Sequence, residues 1–179
     1  MRSVLMDALV FTNYGQFEIV QAAEGFDGGA DRFFAGQENG WVAAAVPGVL
    51  YLPLARWGGG SSVRVEHWTE EPPLEDWEDI VEVSTTFRSG EPIVWMTWGG
   101  DVGGTLDLPP ATYRVRVNAR GRDAGHDGEF AEGIVDHYLL QFWPAPPAPD
   151  RVLKTTSANA AYWNREWGGR RRQHPSHDS

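Results

Sequence analysis

Leu106-Asp107-Leu108-Pro109-Pro110-Ala111-Thr112-Tyr113-Arg114-Val115-Arg116-Val117 reads as a strand entered through a rigid corner. Two consecutive prolines hold φ at about −65° and donate no N–H, so they belong outside a ladder. After them the pattern alternates strictly. Tyr113, Val115, Val117 and Ala119 take one side, and Arg114, Arg116, Asn118 and Arg120 take the other. This is the period of a half-buried antiparallel strand, with one dry face and one wet, basic face.

Working outward, similar runs recur. Ala8–Gln21 reads as one strand or two broken at Gly15, and Trp41–Val46 and Val49–Leu54 read as short strands joined at Pro47-Gly48. Val63–Trp68, Ile80–Arg88, Ile93–Trp98 and Ile134–Trp143 follow, separated by Gly- and Pro-rich turns such as Gly58–Ser62 and Gly99–Gly104. Ala22–Asn39 reads as a loop with a short helical turn near Asp31–Ala35, and Gly121–Gly133 as a polar loop. Pro144–Pro149 forms a polyproline-like arm, and Thr156 or Ser157 caps a short helix through Ala158–Trp167. Many short strands with one modest helix predict an all-β fold, an antiparallel β-sandwich. The expected organisation is a sandwich over residues 1–150, a helical extension over 151–167 and a flexible tail over 168–179.

The chain holds 179 residues, enough for one domain with a real core, at 41% hydrophobic and 22% charged residues. With no cysteine it has neither disulfides nor a thiolate site. No apolar run approaches the roughly 18 residues that a membrane helix needs, so the expected location is the cytoplasm. The net charge of −10 is uneven. Residues 70–107 carry ten acids against Arg88 alone, whereas residues 151–179 carry six bases against two acids. Such a body is not built to embrace nucleic acid; it suits a basic protein partner.

Catalytic signatures are missing. No Gly-x-Ser-x-Gly elbow occurs, and the glycine runs lie between strands rather than before a phosphate-cradling helix. His126, Asp127, Glu129, Glu132, Asp136 and His137 supply metal-ligating atoms without a recognised ligand spacing. The chain therefore reads as non-enzymatic, with no cofactor and no metal. Nine tryptophans stand out. Trp41, Trp95, Trp98 and Trp143 lie in β-prone runs and are expected in the core, while Trp57, Trp68 and Trp77 are candidates for surface anchors. Trp68 and Trp77 bracket Glu70, Glu71, Glu75, Asp76, Glu78 and Asp79, and these eight residues form the expected partner-binding site.

Four stretches, in order, resemble the competence-J family, whose named members inhibit a DNA-entry nuclease. They are Asn13-Tyr14-Gly15-Gln16-Phe17, the Trp41–Val46 strand, the run from Ile80–Phe87 to Asp107-Leu108-Pro109-Pro110-Ala111-Thr112-Tyr113, and Asp136-His137-Tyr138-Leu139-Leu140. The likeness spans about residues 9–144. Ala111 stands where the family has glycine, and the chain from Asp150 onward is additional. The resemblance implies a β-sandwich and nuclease inhibition, and carries no site residue with it. The expectation is a domain that neutralises a basic nuclease or toxin through an acidic face. The alternative is a carbohydrate- or small-molecule-binding sandwich that uses exposed tryptophans.

Overall fold

The structure, a computed structural model, describes residues 1–21, 24–129 and 131–171. Among the described residues ten strands form two sheets. Strands β1 (Arg2–Asn13), β4 (Gly58–Trp68), β5 (Asp79–Phe87), β8 (Ala111–Arg120), β9 (His137–Pro144) and β10 (Arg151–Lys154) make a six-stranded sheet in the order β1-β4-β9-β8-β5-β10. Strands β2 (Gln16–Gln21), β3 (Val49–Pro53), β6 (Ile93–Thr97) and β7 (Val102–Thr105) make a four-stranded sheet in the order β3-β2-β6-β7. Pairing is antiparallel except between β4 and β9, where β9 inserts between β4 and β8. Three short helices accompany them: α1 (Ala30–Phe33), α2 (Arg122–Asp127) and α3 (Ala158–Glu166).

The main core lies between the sheets. Val63, Val65, Val81, Val83, Tyr113, Val115, Val117, Leu140 and Phe142 from the larger sheet meet Phe17, Ile19, Leu50 and Leu52 from the smaller. The proline corner feeds it as expected, and Tyr113 donates its hydroxyl back to Pro109 O at 2.5 Å. A second cluster on the outer side of the smaller sheet joins Val20, Val49 and Tyr51 to Phe33, Phe34 and Trp167, next to α1 and α3. In α3, Ser157 Oγ accepts from Ala160 N, and Asp123 accepts from Ala158 N and Asn159 N, so the first turn is capped twice.

Several local expectations are corrected. Trp41–Val46 is not a strand; Ala43 and Tyr51 make one isolated bridge. Side chains consume the backbone groups a ladder would use. Asn39 Oδ1 accepts from Trp41 N and Val42 N, Gln37 Nε2 donates to Val42 O, and Gln37 Oε1 accepts from Ala44 N. Gly58–Ser62 is no hairpin connection but the start of β4, paired with Leu9–Asn13 of β1. A Cβ on Gly60 would sit 3.1 Å from the Phe11 ring, so glycine here leaves room for a neighbour. Within Gly121–Gly133 lies α2, and β9 begins only at His137. The four residues of β10 carry no periodic signal and exist by pairing with β5.

The wet, basic face expected on β8 is buried: Arg114, Arg116 and Asn118 are at most 5% exposed. Other parts of the chain lie over it, and they are the source of the candidate site.

Candidate protein-docking surface

A proline-rich segment has carbonyls with no strand partner, and it needs donors wherever it is laid on a protein. Arginine offers five in a planar fork. On the outer face of β8, Arg116 donates from Nη1 to Pro72 O at 2.8 Å and Pro73 O at 3.3 Å. It reaches Glu71 Oε1 at 2.9 Å through Nη2 and Glu82 Oε1 at 3.0 Å through Nε. Its guanidinium also lies 5.3 Å from the centre of the Trp143 ring. Arg114 does the same for the proline arm, donating to Ala148 O and Pro149 O at 2.9 Å each, with Glu82 at 3.4 Å. Both arginines share buried Glu82, so the two coverings are clamped to the sheet by one ionic cluster.

The acidic segment is thus a fixed strap. Along it the eight candidate residues have different surroundings. Trp68 ends β4 half-buried, donating Nε1–H to Glu66 at 2.8 Å with Arg2 beside its ring. Glu70 is exposed and has no ion pair among the described residues. Glu71 is exposed and bonded to Arg116. Glu75 is exposed and accepts the Trp77 indole N–H at 3.3 Å. Asp76 meets Lys154 Nζ at 2.9 Å, and that bond holds its carboxyl below the ordinary carboxylate range. Trp77 is half-buried with the Arg120 guanidinium 4.0 Å from its ring centre. Glu78 is exposed and accepts Gly121 N at 3.0 Å.

Asp79 is at 0% exposure. Its two oxygens accept from Thr156 N, Ser157 N and Ser157 Oγ at 2.8, 3.0 and 2.7 Å, which anchors the entry to α3. It belongs to the scaffold beneath the strap. Trp68 and Trp77 share no contact. Trp77 lines a cleft of about 320 Å³ with Arg64, Arg120 and His137, and Arg64 lies four residues before Trp68 on β4, roughly 13 Å at the usual strand rise. Glu70, Glu75 and Glu78 form no ion pair with any cation among the described residues.

The fold finds counterparts among solved structures. Its architecture is similar to that of ComJ. The crystal structure of ComJ, inhibitor of the DNA degrading activity of NucA, from Bacillus subtilis, superposes with a TM-score of 0.54 at 14% identity, covering 81% of this chain and 99% of ComJ. The product of crocagin biosynthetic gene J superposes with a TM-score of 0.51 at 17% identity, covering 82% and 99%. Neither a family model nor a curated protein sequence matches the chain significantly. The resemblance to the competence-J family therefore stands as a distant likeness of fold.

The remaining sites of interest are placed as follows. Trp41 and Trp143 are buried, and Trp95 packs half-buried with its ring 6.0 Å from that of Phe17. Trp98, expected in the core, is exposed: it opens a 3-10 turn after β6, carried outward by Gly99 and Gly100 at positive φ. Among the described residues no three His, Asp or Glu side chains are arranged to hold a metal ion. Asp136 is buried and accepts from Ser61 Oγ and Tyr138 OH. Among the described residues no helix is long and apolar enough to cross a membrane. Of the Arg170-Arg171-Arg172 run, Arg170 and Arg171 pair with Asp31 and Asp150, while Arg172 to Ser179 lie outside the described residues. Sequence reading missed Tyr14, which is exposed between Trp57 and Trp98. Its signal is a tyrosine directly before a turn glycine.

Proposed function

We propose that this chain is a non-enzymatic inhibitor or immunity-type protein that neutralises a basic nuclease or toxin by docking it on the acidic strap. One observation carries the reading. Glu70, Glu75 and Glu78 are exposed and have no counter-ion among the described residues, on a backbone already immobilised by Arg116. Charges held in place before encounter steer a cationic partner without a further ordering cost. Asp76, fully at the surface and paired with exposed Lys154, joins them; Trp68 and Trp77 are the anchors at either end. Asp79 holds the scaffold and takes no part in contact. ComJ inhibits the DNA degrading activity of a nuclease, and the same mode of action is carried here as a proposal consistent with the shared fold.

The test is affinity capture from the native host at low salt, followed by a salt gradient, with DNA degradation by the eluted protein assayed with and without this chain. The reading expects a basic protein, released by salt, whose activity the chain suppresses. It also expects capture to fail when Glu70, Glu75, Asp76 and Glu78 are all changed to lysine. Equal capture of the same partner by that variant removes the strap from the account.

A further inference from the structure

Three large rings stand in solvent at the end of the sandwich where β1 ends and β4 begins. Tyr14 lies in the turn between β1 and β2, Trp57 immediately before β4, and Trp98 immediately after β6; they are 52%, 56% and 49% exposed. The Tyr14 ring centre is 4.9 Å from that of Trp57 at an interplanar angle of 76°, and 5.2 Å from that of Trp98 at 51°. The backbone holds them there. Gly15 N donates to Trp57 O at 3.0 Å, Leu54 N to Gly15 O at 2.7 Å, and Thr97 N to Asp101 O at 3.0 Å, closing the turn that bears Trp98.

Folding does not account for this arrangement. Tyr14 sits at a φ of 60°, and no other non-glycine residue among those described has a positive φ. A bulky side chain is strained in that region, whereas asparagine or glycine would make the same turn at lower cost. Burial of the ring does not compensate, since half of it faces water. Strain, triple aromatic exposure and a fixed backbone together mark a surface kept for contact.

Charge decides what the surface fits. Exposed Asp101 ends the Trp98 turn. Arg56, next to Trp57 in the chain, is buried and spends its guanidinium on the carbonyls of Gly60, Ala131 and Gly133, which brings exposed Glu132 to the same end. Among the described residues no cation of the chain lies over any of the three rings. Aromatic faces carry negative potential, and with exposed acids on the turns at the same end they attract a guanidinium or ammonium. We propose that Tyr14, Trp57 and Trp98 form a docking site for an arginine or lysine side chain presented by a basic protein. The site rests on the reading that the partner is basic, and it would hold a second point of that partner.

The test uses an eight-residue, end-blocked Gly-Arg repeat peptide titrated into the intact protein at low salt, followed by calorimetry and by the indole N–H signals in nuclear magnetic resonance spectra. Parallel titrations use cellopentaose and a Gly-Ser peptide. Binding of the arginine peptide should shift the Trp57 and Trp98 indole signals. Trp57→Ala, Trp98→Ala and Trp57→Leu should each weaken it about five- to thirtyfold, the leucine keeping apolar area but no π face. Tyr14→Gly should fold as well as the parent and also bind more weakly. Unchanged affinity in the ring variants overturns the site, as does cellopentaose binding with the same dependence on the rings. A variant with Glu70, Glu75 and Glu78 changed to glutamine separates the two readings. If that variant alone loses the peptide, the aromatic site fails and the acidic strap stands; if the ring variants alone lose it, the aromatic site stands whatever the strap binds.

Discussion

Glu70 and Glu82 lie twelve residues apart in one acid-rich stretch, yet they do opposite things. Glu82 is buried between Arg114 and Arg116 and holds two coverings onto the sheet. Glu70 is exposed with no partner among the described residues. Asp79 sides with Glu82, and Glu75 and Glu78 side with Glu70. A density of carboxylates in a sequence therefore mixes two populations. Those on the strand pattern face the sheet and are consumed by the protein's own donors; on the strap, Glu71 and Asp76 are paired with Arg116 and Lys154, while Glu70, Glu75 and Glu78 stay exposed with no counter-ion among the described residues.

The comparison is broken most severely at Arg116. Arg116→Ala leaves buried Glu82 with only the more distant Arg114 at 3.4 Å and Arg151 at 3.9 Å and frees the carbonyls of Pro72 and Pro73, so it should cost about 4 kcal/mol. Chemical denaturation would measure the cost, and amide exchange should show the strap released first. A loss below about 1 kcal/mol would mean that the strap is not held by this ion cluster.

Asp79 comes next. Asp79→Ala removes three hydrogen bonds, two of them buried, and should cost about 3 kcal/mol, with faster exchange at Thr156, Ser157 and Ala160. Asp79→Asn should recover much of the loss, because a carbonyl oxygen can still accept from Thr156 N and Ser157 N. Equal damage from both variants would point to charge, rather than acceptor geometry, as the source of the anchor.

Glu18 sharpens the comparison, because it is buried without an ion pair among the described residues. It accepts from Gln16 Nε2 and Phe26 N on one oxygen, while the other has no partner among the described residues. Burial raises its pKa above the ordinary carboxylate range, and its negative charge helps raise that of Tyr51. The folded state then holds this proton at pH values where the unfolded chain has released it, so stability falls as pH rises through that window. Glu18→Gln should be more stable than the parent at alkaline pH, and the gap should close on acidification toward the ordinary carboxylate range. Thermal unfolding across that range checks the sign. A gap that widened on acidification would contradict it.

The smallest effect on stability is expected at the strap. Changing Glu70, Glu75, Asp76 and Glu78 to lysine should shift stability by no more than about 1 kcal/mol, because the one ion pair lost, Asp76 with Lys154, is exposed.

How far the residues spoke for themselves follows the same division. The alternation after Pro110 announces β8 and its dry face, and the pair Thr156-Ser157, of which Ser157 is the cap, announces α3, because both signals are local. The second face of β8 was misread as solvated. Whether Arg114 and Arg116 meet water depends on Pro72, Pro73 and Pro144–Pro149 lying over them, and no strand pattern records what covers it. Trp41–Val46 failed as a strand because the nearby Gln37 and Asn39 side chains outcompete a ladder for its backbone. The parallel β4–β9 pair depends on where β9 inserts, a property of the whole sheet. For the surface, the acidic stretch was plain in the sequence, but only the fold separates Asp79 from Glu78. Tyr14, Trp57 and Trp98 converge from three turns, so their proximity had no signature in the chain.

The most direct measurement is the association rate of the captured partner between dilute and physiological ionic strength, for the parent and for the four-lysine strap variant. The account predicts a rate that falls at least about tenfold with salt for the parent, and one that is slow and nearly salt-independent for the variant. A parent rate indifferent to salt, with the variant associating equally fast, would contradict it.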